Sequence, residues 1–316
     1  MKNILFIIDK IEFKYFEFND LVTNFWMIKD FLDKGFNVSI TTIPQLSLFN
    51  KVALAQCYEA FCENGNIFYK NNIQTKEIDS FDLVMFRPDP PVDTDYINAT
   101  YIFDFVTTKV VNSPQAIRSF NEKLHSLYFS EYMTDCLVSA SLEQIEEFLL
   151  QKKQIVLKPL NKCFGTGVMV LKLGDMNTRT IINTLTNNQT TVIMVQEYLS
   201  KVSEGDTRVL TLGDRILPYC VKKLPTKDDF KFNTHNDNFL VKSDLSQEQL
   251  ERFIPIAKKL DRMGIKMAGL DVIEDKVIEI NVTSPCYFIK EINNIYRISL
   301  EDEISQYLLT PALLTL

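Results

Sequence analysis

Near the C-terminal end, "AGLDVIEDKVIEINVTSP" (residues 268–285) sets three oxygen-bearing side chains, Asp271, Glu279 and Asn281, into otherwise apolar runs. Strand side chains alternate with period two, so Glu279 and Asn281 share one face of "VIEINV". A turn at Glu274–Asp275 would lay "GLDVI" alongside and bring Asp271 into the same group. Carboxylates buried without a cation cost several kcal/mol. Magnesium accepts such hard oxygens, needs few from the protein and completes its shell with water and phosphate oxygens. The plainer alternative is an exposed hairpin face.

Upstream, "IVLKPLNKCFGTG" ends an apolar strand in Lys158 and continues into a turn with Gly165 and Gly167. A lysine beside free backbone amides can hold phosphate, although the order is not that of a Walker motif. Lys123, in "NEKLHSLYF", begins a helix, where a cation opposes the positive helix end unless an anion is near. In isolation either lysine reads more readily as an ordinary surface cation. "VQEYL" closes a strand with Gln196, Glu197 and Leu199, the form of a hinge that reads an adenine edge through its backbone.

The elements that would position these groups are alternating. "ILFII", an apolar-periodic stretch from Leu21 to Leu32, a stop at Gly35 and "NVSITTI" give strand, helix, strand. An irregular segment is expected through Tyr69, then a buried strand "FDLVMF" and the proline-stiffened loop "RPDPPVD" at its carboxyl end, where open α/β sheets bind ligands. "DYINATYIFDFV" reads as helix, "KVVN" as a short strand, and "SPQAIRSF" as a Ser-capped helix with Pro at its first position. Further on come a capped helix "SLEQIEEFLLQ", strands "QIVLKPL" and "VMVLKL", a helix near Met176–Thr186, strand "TVIMVQEYL", a hairpin about Gly213–Asp214 and one helix from about Ser246 to Arg262. Thr226–Lys242 is polar and weakly patterned, and a mobile surface loop is expected there. The fold class is α/β, turning α+β in the C-terminal part, with boundaries near residues 120 and 200.

Composition removes several function classes. The formal net charge of −7 argues against a general polyanion surface, so nucleic acid is not an expected partner. The six cysteines lack paired CxxC spacing, and 316 residues bury enough core to need no disulfide framework, which points to reduced thiols in the cytoplasm. The apolar run before Asp9 is too short for a signal peptide or a membrane span. Neither of the two histidines, His125 and His235, stands in a nucleophile pattern, which sets a hydrolase triad aside.

In order, "RPDPPVDTDYINATYI", "VNSPQAIRSFNEKL", "VLKPL", "DTRVL" with "LPYCVKKLP", and "GLDVIEDKVIEINVTSP" resemble the ATP-grasp ligases, specifically the bacterial type of glutathione synthetase. The resemblance implies a Rossmann-like pre-ATP-grasp domain (1–120) that binds substrate, an ATP-grasp lid subdomain (121–200) and a C-terminal catalytic subdomain (201–316). It implies ligation of γ-glutamylcysteine with glycine through an acyl phosphate, using ATP and Mg2+ (or Mn2+), in a cytoplasmic homotetramer. Matching positions would put Lys123, Lys158, Gly165 and Gly167 on the phosphates and Gln196, Glu197 and Leu199 around the adenine. Asp271, Glu279 and Asn281 would hold the metal, and Arg208 would stabilise charge as the amine attacks. Thr23, Arg87, Thr283, Ser284 and Pro285 would lie near the peptide substrate.

The sequence departs from that pattern. Pro88 follows Arg87, Val22–Thr23–Asn24 replaces an Asp-Ser-Ser/Thr stretch, and Lys162 and Phe164 stand where glycines are expected. "TKDDFKFNTHNDNFLVK" has neither the arginine nor the glycines of the family's closing loop, and Lys223 stands for an arginine, exchanging a bidentate fork for a point charge. Lys223 or Lys231 could stand in for the missing charge. These changes leave open a related ligase using another amine or γ-glutamyl substrate, or a nucleotide-binding regulatory module without ligation.

Overall fold

A continuous apolar run with no room for a polar face makes β1 (Asn3–Ile8) a strand buried on both sides, and it lies at the centre of a parallel set. The computed structural model describes residues 2–9, 20–225 and 240–310. The first sheet carries β1, β2 (Asn37–Thr42), β3 (Leu46–Phe49), β4 (Val52–Glu63), β5 (Asn66–Tyr69), β6 (Gln74–Glu77), β7 (Leu83–Phe86) and β8 (Val110–Val111), in the path order β3-β4-β2-β1-β7-β8. Helix α1 (Thr23–Asp33) connects β1 to β2, while α2 (Thr94–Ile102) and α3 (Pro114–Ser119) flank β8 in sequence. Asp93 and Ser113 cap α2 and α3 by accepting the amides of Tyr96 and Ala116.

The expectation of an irregular segment through Tyr69 is corrected. Residues 46–69 hold three strands, and β4 alone runs twelve residues, pairing with β2, β3, β5 and β6. Its sequence, "VALAQCYEAFCE", buries Ala53, Ala55 and Cys57 on one side. Small residues carried the buried face, so hydrophobic contrast was weak and the period of two was hidden.

A second sheet, order β11-β10-β12-β9, is formed by β9 (Cys136–Ser139), β10 (Gln154–Pro159), β11 (Met169–Lys172) and β12 (Ile193–Glu197). Helices α4 (Leu142–Lys152), capped by Ser141, and α5 (Thr178–Leu185) pack on it around Ile145, Leu149 and Ile182. A third sheet, order β16-β15-β13-β17-β18, contains β13 (Asp206–Leu212), β14 (Arg215–Ile216), β15 (Val221–Lys223), β16 (Leu240–Lys242), β17 (Met267–Ile273) and β18 (Lys276–Asn281), with β14 hairpinned to β13.

The expected single helix at 246–262 is two, α6 (Gln247–Glu251) and α7 (Ile254–Arg262), because Pro255 supplies no amide and fits only a first turn. Of the expected loop Thr226–Lys242, residues 226–239, with Lys231 and His235, lie outside the described residues, and its last three residues form β16. Helices α8 (Ile289–Tyr296) and α9 (Leu300–Leu309) return to the first sheet, so Leu210, Leu212, Ile292 and Ile304 share a core with Ile4, Phe6 and Phe31. The opposite face of the third sheet buries Val209, Leu270, Val272 and Ile280 against α7 residues Ile256 and Leu260. Leu270→Ala empties the middle of that layer and is expected to cost about 2–5 kcal/mol, read as a lowered midpoint of denaturant unfolding with unchanged slope.

Candidate active site

Register places the charged side chains. Arg208 of β13 lies opposite Asp271 of β17, Asp271 opposite Glu279 of β18, and Gly269 opposite Asn281. Asp206, two residues before Arg208, pairs with Lys223 of β15. Residues opposite one another, or two apart, share a face, so this set projects from one side of the sheet.

Asp271 is its centre. Arg208 donates through Nε to Oδ1 at 2.7 Å and through Nη2 to Oδ2 at 3.3 Å. Lys223 Nζ donates to Oδ1 at 3.1 Å, and Asn281 Nδ2 to Oδ2 at 3.1 Å. Lys223 also pairs with Asp206 Oδ2 at 2.6 Å. Burial pushes the Asp271 carboxyl up, but Arg208 and then Lys223 outweigh it and hold the group well below the usual carboxylate range. For Asp206 burial prevails: with the charge of Asp271 adding to it, the carboxyl is pushed up to about 6 despite Lys223. A Cβ at position 269 would stand 2.8 Å from Arg208 Cδ, so the missing side chain of Gly269 leaves the room in which the guanidinium lies.

Lys123 and Lys158 approach Glu279 from the second sheet side. Both are buried, at 7% exposure each, which sets aside the ordinary surface reading for the pair. Lys123 Nζ is 3.2 Å from Glu279 Oε1 and donates to the Lys162 carbonyl at 2.6 Å. Lys158 Nζ donates to the Ile278 carbonyl at 3.1 Å. Burial lowers the Lys158 amine below its ordinary value, against the opposing pull of Glu279. Lys123 precedes a 3-10 helix, Leu124–Tyr132, where an α-helical start was expected. In the loop after β10, Gly165 and Gly167 adopt φ of +67° and +75°, and Phe164, at 80% exposure, adopts +54°.

At the β12 end, Gln196 Nε2 donates to the Ile278 carbonyl at 3.4 Å, tying the hinge to the strand that carries Glu279. The Glu197 carboxylate is committed to Thr134 at 3.0 Å and Lys152 at 3.4 Å and its amide to the Asp135 carbonyl at 3.0 Å, which leaves its backbone carbonyl for a ligand. Leu199 stands at the exit of the hinge, before the 3-10 turn Ser200–Glu204.

The remaining predicted residues meet across the chain's two ends. Arg87 donates to Asn24 Oδ1 at 2.5 Å and to the Pro285 carbonyl at 2.9 Å, and Thr23 Oγ1 accepts the Tyr287 amide at 2.8 Å. Arg208 Nη1 donates to the Cys286 carbonyl at 2.9 Å, so two arginines from different sheets grip consecutive carbonyls. A cleft of about 200 Å³ opens beside them, lined by Pro90, Pro91, Asn121, Lys123, Cys163 and Thr283. Asp206 and Glu122 were not singled out from sequence. The period of two that grouped Glu279 with Asn281 would have grouped Asp206 with Arg208, and Glu122 adjoins Lys123.

As a cation site, Asp271, Glu279 and Asn281 supply two carboxylates and an amide, all hard oxygens. Among the described residues no group of three or more His, Cys, Asp or Glu side chains is placed to hold a metal ion by itself. The Glu279 carboxylate and the Asn281 amide oxygen are of the kind magnesium takes alongside phosphate oxygens, whereas both Asp271 oxygens are already engaged by Arg208, Lys223 and Asn281.

Residues 2–118 match the N-terminal domain of prokaryotic glutathione synthetase, and residues 122–297 match its ATP-grasp domain. The chain is 34% identical over 297 residues to a glutathione synthetase of Vibrio vulnificus (strain YJ016), covering 93% of this chain and 86% of that one. It is 32% identical over 299 residues to one of Neisseria meningitidis serogroup B, covering 91% and 92%. In fold it is similar to D-cycloserine synthetase DcsG, with a TM-score of 0.66, 14% identity and coverage of 97% and 98%. D-alanyl-alanine synthetase A of Vibrio cholerae is likewise similar, at 0.64, 10% identity and 97% of each chain.

The two carboxylates of the row differ in what their loss would cost. Asp271→Ala strands Arg208 and Lys223 in the interior and is expected to destabilise by about 3–5 kcal/mol. Glu279→Ala, at a partly exposed pair, is expected to cost about 1 kcal/mol or less. Denaturant unfolding of the two variants checks the contrast, which makes Glu279 the cleaner probe of site chemistry.

Proposed function

Because the chain belongs to the prokaryotic glutathione synthetase family and is an ATP-dependent, peptide-forming ligase, we propose that it joins the carboxylate of γ-glutamylcysteine to the amine of glycine. The observation that carries this reading is the cross-strand row Arg208–Asp271–Glu279 with the Lys123 amine against its end.

A carboxylate is a poor acyl donor. One of its oxygens attacks the γ-phosphorus of ATP, the bond to the β-phosphate oxygen breaks, and ADP leaves an acyl phosphate. The glycine amine then attacks the acyl carbon, phosphate departs with the electron pair of the broken C–O bond, and the amine's proton passes to solvent. Lys123 and Lys158 neutralise the transferring phosphate, and the amides around Gly165 and Gly167 cradle it. The backbone of Glu197 and Leu199 reads the adenine edge beside Gln196. Asp271, Glu279 and Asn281 would hold Mg2+, which when bound draws charge from the phosphate oxygens. Arg208 and Lys223 face the oxygen that gains charge as the amine attacks. Arg87, Thr23 and the Thr283–Ser284–Pro285 turn orient the peptide. Little acid or base power is needed, and among the described residues none of the proposed site groups is a histidine.

In this reading residues 1–120 form the substrate domain, 121–200 the lid and 201–316 the catalytic part. The enzyme works in the cytoplasm as a homotetramer, for which exposed Phe49 and Tyr101 on the first domain offer apolar surface. A second reading, ligation of a different amine, draws on Lys223, a point charge where a forked cation is expected. Loss of ligation is disfavoured by a site that keeps two phosphate lysines, the arginine and the complete donor set for a metal.

Purified protein with ATP, Mg2+ and γ-glutamylcysteine is expected to release ADP only when glycine is added. ADP release with another amine and not with glycine would select the second reading. Release with no member of an amine panel would overturn ligation of γ-glutamylcysteine.

A further inference from the structure

One dipeptide, Glu122–Lys123, touches both halves of the site. Lys123 reaches forward to Glu279 and to the phosphate loop at Lys162. Glu122 reaches back: its Oε1 accepts the amides of both Val282, at 2.7 Å, and Thr283, at 2.9 Å, and its backbone carbonyl accepts the Ile280 amide at 3.4 Å. Those three amides belong to the residues on either side of Asn281 and to the first residue of the substrate turn. Beyond Asn281 the strand ends and β17 no longer supplies partners, so a carboxylate oxygen replaces the ladder there.

We propose that Glu122 is a positioning residue, whose carboxylate fixes the backbone of residues 282–283 and so sets Asn281 and Thr283 against the phosphate held by Lys123. This rests on the ligase reading above. Thr283 is buried, its hydroxyl stands beside the Glu122 carboxylate, and the residue lines the cleft next to Glu122 and Lys123. Glu122 thus holds Thr283 through its amide and stands against its hydroxyl. One oxygen accepting two amides demands a side chain of one length; it does not demand a negative charge. Burial pushes the Glu122 carboxyl up and the nearby Glu279 adds to this, while the two amides and the Thr283 hydroxyl oppose it.

Glu122→Gln keeps the length and a carbonyl oxygen, while Glu122→Asp keeps the charge and is shorter by a methylene. A displacement of about 1 Å costs on the order of 100-fold in turnover. Glu122→Asp is therefore expected to lose about 100-fold in kcat with ATP-analogue affinity, read by calorimetry, unchanged. Glu122→Gln is expected to stay within about threefold of the parent. The opposite order, Asp active and Gln inactive, would overturn positioning in favour of a charge role. Hydrogen exchange of the peptide spanning 279–286 supplies a readout that needs no substrate: exchange is expected to accelerate in Glu122→Asp and to stay at the parent rate in Glu122→Gln. Equal protection in parent and Asp variant, or lost protection in Gln, overturns the proposal even if the identity of the amine proves different. Should Glu122→Asp fail to fold, the Gln variant decides alone: near-parent exchange and turnover support positioning, and loss of either contradicts it.

Discussion

A carboxylate at position 271, on an inner strand between β13 and β18, costs several kcal/mol to desolvate, and the strands on both sides are composed around that cost. Arg208 meets it as a fork, Lys223 as a point charge and Asn281 as an amide. Each partner has a second attachment: Arg208 to the carbonyl of Cys286, Lys223 to Asp206, Asn281 to the carbonyl of Gly269. The charge is thus compensated and also fixed in direction, the condition for electrostatic preorganisation. Anionic phosphate and a cation would enter a lattice whose dipoles already point.

The same logic joins the sheets. Consecutive carbonyls at Pro285 and Cys286 receive Arg87 of the first sheet's rim and Arg208 of the third sheet. The Ile278 carbonyl receives Lys158 of β10 and Gln196 of β12 from the second. Strand β18 and the turn after it are therefore where all three sheets are hydrogen-bonded together. A position on this segment cannot shift without moving Lys158, the end of β12 or an arginine.

Much of this was legible in the sequence because it depends on local period. Alternation along "VIEINV" and a turn at Glu274–Asp275 suffice to predict that Asp271, Glu279 and Asn281 share a face, and the register bears this out. What compensates them was less legible. Asp206 belongs to the set by the same period, yet its meaning depends on Lys223 arriving from another strand. Glu122 looks like any helix-start carboxylate until β18 is seen ending beside it. In the fold, β4 escaped notice because alanines and a cysteine bury too little to mark a face, and the helix at 246–262 looked continuous because a proline in a first turn resembles one in an interior.

If the row of Asp271, Glu279 and Asn281 is the half-built shell of a cation that the phosphates of ATP complete, metal and nucleotide must tighten each other's binding through Glu279. Titration of a non-hydrolysable ATP analogue into the protein with and without Mg2+ measures that coupling directly. The account predicts at least about tenfold tighter binding with Mg2+ in the parent and most of that gain lost in Glu279→Ala, whose fold is kept. A parent indifferent to Mg2+, or a Glu279→Ala variant with the full gain, would contradict it.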